Sequence, residues 1–202
     1  MKLKDILPEA FRDLGKLSDE ELMKGQKLNP GASGNFKEVD GRVFYRAITG
    51  ISRNDLIRLN KGLPSRGLHT LTVYSPNEYN KMRCFLGVNN SSGFCLKEGN
   101  PKGTEIVSLF STQGSSGRAL MDEAVRQGGR VLDCYAKRDP KTGIISGPLF
   151  YLYSEFGFKI DKNMNSGTPG EPYAIVNGVS DYVDDAGQVH PDNPTVVIFM
   201  IR

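Results

Sequence analysis

Apolar and polar positions change period several times between residues 104 and 158, and the changes mark out strand, helix, strand and helix in close order. Glu105-Ile106-Val107-Ser108-Leu109-Phe110-Ser111 is an almost unbroken apolar run of strand length, as in a buried strand. Thr112-Gln113-Gly114-Ser115-Ser116-Gly117 is loop composition, and it opens a helix that buries Leu120, Met121, Ala124 and Val125 before Gly128-Gly129 ends it. Arg130 to Tyr135 reads as the next strand. A polar loop from Lys137 to Gly147 then leads to Pro148 in the first turn of a helix over Leu149–Phe158.

Earlier in the chain, Leu7 to Leu17 has a short helical pattern, and Ser18 with Glu21 forms a capping box for a second. Asn29 to Gly34 is loop-like, so residues 1–40 read as a helical arm or appendage before a main domain over 41–202. Arg42 to Ile48 alternates like an edge or half-buried strand, and Ser52 caps a helix that stops at Gly62. Thr70 to Tyr74 is strand-like. Ser75, Pro76 and Glu78 then start a helix whose stripe is Tyr79, Met82, Phe85 and Leu86, ended by Gly87. Turn residues at 89–93 and 98–103 separate short apolar runs, which predicts an antiparallel meander. Tyr173–Val176 and Thr195–Ile201 read as two closing strands joined by an acidic, glycine-bearing loop. The order predicts an α/β fold: a single mixed, largely antiparallel central sheet flanked by helices.

At 202 residues one domain with a sizeable core is the expectation. No apolar run approaches the roughly 18 residues that a membrane helix needs, and the N-terminus lacks the apolar core of a signal peptide. Cys84, Cys95 and Cys134 are odd in number and widely spaced, which reads as free thiols in a reducing, cytoplasmic setting. Neither they nor His69 and His190 recur at ligand spacing, so no metal site is expected. The formal charge of +3 hides an asymmetry. Residues 41–86 hold eight bases (Arg42, Arg46, Arg53, Arg58, Lys61, Arg66, Lys81, Arg83) against Asp55 and Glu78. Residues 161–202 hold Lys162 and Arg202 against six acids, three of them Asp181, Asp184 and Asp185 in the loop between the closing strands. These are either two solvated faces of opposite sign or surfaces for ligands of opposite charge.

A glycine-serine loop between a strand and a helix aims backbone N–H groups at one spot, with the positive end of the helix dipole behind them. That is an anion cradle, usually for phosphate. Gly117-Arg118-Ala119-Leu120 after the central strand, and Tyr153-Ser154-Glu155-Phe156-Gly157-Phe158 at the end of the late helix, resemble two signatures of the GNAT superfamily of N-acetyltransferases. In that family the first is a phosphate loop written Arg/Gln-x-x-Gly-x-Gly/Ala, and the second is a Tyr-x-x-x-Gly-Phe pattern. The likeness runs from residue 42 onwards and is strongest over 104–158. The loop departs from the family's form: if Gly117 holds the final small position, Ser115 stands where the earlier glycine falls.

The resemblance implies an acyl-CoA N-acyltransferase fold and acetyl-CoA as co-substrate. Gln113, Gly114, Ser115, Ser116, Gly117, Arg118 and Ala119 would hold its pyrophosphate, and the backbone of Leu109, Phe110 and Ser111 its pantetheine and thioester carbonyl. It also implies Tyr153 as the proton donor to the departing thiolate. Glu98 and Glu105, which flank the turn into the central strand, are the candidate bases beside a water relay. The acceptor is an amine on a small molecule, peptide or protein. The acidic loop between the closing strands would favour a cationic one. Without the resemblance, Tyr153 reads as a core tyrosine beside Leu149, Leu152 and Phe156. Two other readings stay open: a GNAT-like binding or structural protein without catalysis, and a nucleic-acid-binding or nucleic-acid-modifying one that uses the basic segment. No membrane partner is expected.

Overall fold

The computed structural model describes residues 36–63, 68, 71–87, 90–112, 117–165, 173–183, 189–190 and 195–202. The helices expected over 7–17 and from Ser18 lie outside the described residues. The chain is a mixed α/β protein with a mostly antiparallel sheet and flanking helices. It divides into two compact units: residues 1–98 with 106–124, and residues 99–105 with 125–202.

In the first unit, β1 (Lys37–Val39) leads into α1 (Gly41–Asn60). The Asp40 side chain caps α1 by accepting from the Arg42 N–H at 2.8 Å. This corrects the expectation of a strand over Arg42–Ile48 followed by a separate helix from Ser52. Phe44 and Ile48 are four residues apart, and both are fully buried. Tyr45, Ala47 and Ile51 pack at the margin of the same cluster, so helical periodicity carries the burial through Ser52 without a break. Gly41 permits close packing: a Cβ there would lie 2.4 Å from the backbone of Tyr79 and Asn80.

The capping box holds in α2 (Pro76–Tyr79): Ser75 N–H donates to Glu78 Oε2 at 2.8 Å, and Glu78 N–H to Ser75 Oγ at 3.3 Å. The helix nevertheless lasts a single turn. Arg83–Leu86, expected as its continuation, is strand β2 instead. It pairs antiparallel with β1 and with β3 (Ser92–Lys97), and this cross-strand pairing overrides the helical spacing of Met82, Phe85 and Leu86. Residues 71–74, expected as a strand, are not in one. The order β1-β2-β3 continues to β4 (Thr104–Ser111), as the meander reading anticipated. The core gathers Phe44, Ile48, Tyr79, Cys84, Leu86, Cys95, Val107 and Phe110. The Phe44 ring lies 5.1 Å from Tyr79 and 5.8 Å from Phe110, and the cross-strand pair Phe85/Phe94 stacks at 4.9 Å. Such ring pairs contribute about 0.5–1.5 kcal/mol each beyond area burial.

β2 and β3 place Cys84 directly opposite Cys95 with Cα atoms 4.2 Å apart, and the two are joined as a disulfide. This corrects the free-thiol expectation for both residues. A separation of eleven residues is far apart along the chain but directly opposite across a hairpin, which a spacing rule for free cysteines does not capture. The thiol ground for a reducing compartment falls with it. Cys134 is free and buried.

In the second unit, β4 begins beside β5 (Gly129–Arg138) in a parallel pairing of Thr104 with Gly129 and Glu105 with Val131, with a bulge between them. Helix α3 (Gly117–Arg126) connects the two strands in sequence, ending where the second unit resumes. β5 pairs with β11 (Thr195–Ile201) in seven antiparallel pairs from Thr195/Lys137 to Ile201/Val131. Val196, Ile198 and Met200 alternate inward along β11. Short β6 (Ile145–Ser146) and β7 (Lys159–Ile160) pair with β5 and β11. Between them α4 (Pro148–Glu155) packs against β5 and has Pro148 in its first turn, as read from the sequence.

The acidic stretch between the closing strands contains two strands among its described residues. β8 (Tyr173–Val176) turns through Asn177-Gly178 into β9 (Val179–Val183), which pairs with β11 and with β10 (Val189–His190). Asn177 and Gly178 both have positive φ, 51° and 79°, as a two-residue type I′ hairpin requires. Asp181 therefore stands in a strand opposite Ala174 rather than in a loop, and Asp184 and Asp185 lie outside the described residues. Gly178 N–H donates to the Met164 carbonyl at 2.9 Å, and Phe199 N–H to the Gly178 carbonyl at 2.8 Å. Nearby, the buried Asp161 carboxylate meets the Lys102 ammonium and also accepts from the Asn163 N–H at 3.1 Å.

Candidate functional site

The strand-loop-helix junction is built as the sequence reading expected at its two ends. Phe110 is 1% exposed and its ring belongs to the core, so at this position only backbone is available to a ligand. Leu109 and Ser111 are half-buried. The strand is pinned where it ends: Thr112 N–H and Oγ1–H both donate to the Ser91 carbonyl, at 2.7 and 2.9 Å. Gln113, Gly114, Ser115 and Ser116 lie outside the described residues. Gly117 is the first residue of α3, followed by exposed Arg118 and half-buried Ala119. Leu120, Met121 and Ala124 anchor the helix, and its first turn holds no acidic residue. A ten-residue helix with that first turn leaves its N-terminal N–H groups and dipole free of a competing carboxylate, which suits an anion.

A feature of the first unit had no reading in the sequence. Ser108, inside β4, has φ +52°, a left-handed backbone that a residue with a Cβ adopts at a cost of about 1–3 kcal/mol. A chain of hydrogen bonds holds it. Tyr74 N–H donates to Tyr79 Oη at 3.3 Å, Tyr79 Oη and Ser108 Oγ are 2.8 Å apart, and Ser108 Oγ reaches the Thr72 carbonyl at 3.2 Å. The donors run in one direction if Tyr79 gives its proton to Ser108 and Ser108 gives its own to Thr72. The Tyr79 phenol is pushed up from its ordinary pKa, chiefly by burial, with the Ser108 bond opposing. It acts here as a neutral link. The available signal was Ser108 itself, a polar residue within an apolar run of strand length.

In the second unit Tyr153 is the buried residue of α4, 6% exposed. Burial, and then the neighbouring Cys134 and Asp133, push its phenol far above the ordinary value. The Cys134 thiol is raised in the same way, by burial first and Asp133 second. A phenol in this setting stays protonated at ordinary pH, so it can donate a hydrogen bond or, to a strong base, a proton, and does not serve as a base itself. Leu149, expected to share its packing face, is 39% exposed. Glu105 is half-buried on β4 opposite Val131, and Glu98 is exposed just after β3. Glu98 belongs to the first unit, Glu105 and Tyr153 to the second. Among the described residues no group of His, Cys, Asp and Glu could hold a metal ion, and no helix is long and apolar enough to cross a membrane.

Comparison of the chain with protein-family models, with curated proteins and with solved structures gives no match.

Proposed function

We propose that the protein is a GNAT-like N-acyltransferase that moves an acetyl group from acetyl-CoA to an amine. The observation that carries the reading is the β4–loop–α3–β5 crossover, in which β5 returns parallel to β4 within a largely antiparallel sheet. In open α/β sheets such a crossover puts a loop and a helix N-terminus at the carboxyl end of a strand, where phosphate-bearing ligands bind. Gly117 and the residues before it would hold the pyrophosphate, and the backbone of residues 109–111 would flank the pantetheine. Support comes from the acid-free first turn of α3 and from the anchoring of Thr112, which fixes where the loop starts.

In the reaction the amine loses a proton, attacks the thioester carbonyl and expels the CoA thiolate, which then takes a proton. Tyr153 is the proposed donor for that last step; its raised phenol is protonated but a weak acid, so it gives up its proton only as charge builds on the departing sulfur beside it. Glu98 and Glu105 remain the candidate bases beside a water relay. A cationic acceptor is part of the proposal. Its ground is the excess of acids over 161–202, now borne partly by strands rather than by a loop.

The test is release of CoA thiol from acetyl-CoA in the presence of a panel of primary amines. Tyr153→Phe should lower turnover by roughly 10²–10⁴-fold with little change in acetyl-CoA affinity. A wild-type rate in that variant would assign Tyr153 to packing. Thiol release by no amine, with acetyl-CoA still bound, would favour the binding protein without catalysis.

A further inference from the structure

Helix α1 presents a face that neither the core nor the acyl-transfer reading uses. Phe44 and Ile48 occupy its buried side. Arg42, Arg46 and Arg53 are exposed. At about 100° per residue they fall within roughly 40° of one another around the axis, about 6 and 10 Å apart along it. The only carboxylate in α1 is Asp55, and it is buried. Nearby acids are committed elsewhere: Asp40 to the helix cap, Glu38 to Arg83, and Glu78 to its capping box. Three arginines thus share one face that has no acid of its own.

Between Arg46 and Arg53 the same face carries Gly50. Glycine weakens a helix interior relative to alanine. Packing does not require it here, because a Cβ at this position would find nothing within 4 Å. A bare backbone on an exposed helix face admits close approach of another chain. Guanidinium groups on both sides of that bare spot match phosphodiesters, which arginine binds through two parallel hydrogen bonds.

We infer that this face of α1 docks the sugar–phosphate backbone of duplex nucleic acid, with Arg42, Arg46 and Arg53 on phosphates and the strand lying against Gly50. An anionic bilayer fits less well: Phe44 and Ile48 are buried, and the exposed apolar residues of α1, Val43 near its start and Leu56 and Ile57 about 20 Å further along, make no continuous stripe. The surface recognises phosphates, so binding is independent of base sequence. It does not depend on acetyl-CoA.

The full chain is titrated into a short fluorescein-labelled duplex of mixed sequence, with anisotropy read between roughly 50 and 200 mM salt. Affinity should fall steeply with salt. The variant R42Q/R46Q/R53Q, checked by circular dichroism to be folded, should bind at least roughly tenfold more weakly, with a log–log salt slope flatter by about 2.7. Gly50→Glu should weaken binding with all three arginines in place. A control, K141Q/K159Q/K162Q, removes the same charge from exposed lysines of the second unit and should keep wild-type affinity. The inference is overturned if the wild type shows no salt-dependent duplex binding, or if the control loses as much as the arginine variant. It is equally overturned if vesicles rich in anionic lipid capture the chain while the duplex does not.

Discussion

The ion pair between Lys102 and Asp161 predicts an unequal response to losing either partner. The Asp161 side chain is 6% exposed and that of Lys102 31%. Asp161→Asn keeps an oxygen for the Asn163 N–H, and it frees an ammonium that can turn to water. Its cost should be about 1 kcal/mol, near the range of exposed pairs. Lys102→Met keeps the aliphatic stem but strands a buried carboxylate that still accepts from the Asn163 N–H. Breaking a fully buried pair costs about 3–5 kcal/mol, and partial exposure and that remaining bond bring the expectation to about 2–4 kcal/mol. For a chain of this size the melting temperature should fall by roughly 2–4 °C in the first variant and 4–16 °C in the second. Thermal and urea melts of both single variants and the double variant close the cycle. If Asp161→Asn costs as much as Lys102→Met, the asymmetry argued from exposure is wrong.

Alkylation tests the cysteine assignment: in the native protein Cys134 should resist iodoacetamide, since burial removes access and raises its thiol pKa. On unfolding without reductant one cysteine should react, and all three after reduction; three reacting without reductant would rule out the Cys84–Cys95 bond. The Glu78 carboxyl is held below its usual 4.5, first by the Ser75 hydroxyl and then by the Ser75 backbone N–H. Because the folded-state pKa is depressed, its stabilisation is present above the unfolded value and lost as pH falls through the folded one. The melting temperature of wild type should therefore exceed that of Glu78→Gln by a constant margin above about pH 5, and the margin should shrink in more acid solution. A margin that does not vary with pH would remove the charge from the capping box.

Elements whose burial follows the local pattern were legible in the sequence. β4, β5, α4, β8 and β11 appear where apolar runs, Pro148 and strand alternation put them. The errors fall where tertiary pairing outweighed local pattern. Arg42–Ile48 fits an alternating strand as well as a helix, and the Asp40 cap with the shared burial of Phe44 and Ile48 decides for the helix. Tyr79, Met82, Phe85 and Leu86 have helical spacing, yet Phe85 stacks on Phe94 across strands. The hairpin at Asn177-Gly178 carried the strongest short-range turn signal available, and only its reading as part of a loop was at fault. Of the candidate residues, Gly117 as the start of α3 and Tyr153 as a buried tyrosine of α4 were visible from their surroundings in the sequence. The Tyr79–Ser108 relay was not, because a bond between residues 29 apart depends on how α2 lies against β4.

Titration of acetyl-CoA into the protein by calorimetry tests the acyltransfer reading most directly. The account predicts saturable heat with acetyl-CoA, and its loss in a folded Gly117→Trp variant whose indole fills the start of α3. No heat with acetyl-CoA up to roughly millimolar concentration, or an affinity unchanged by Gly117→Trp, would contradict it.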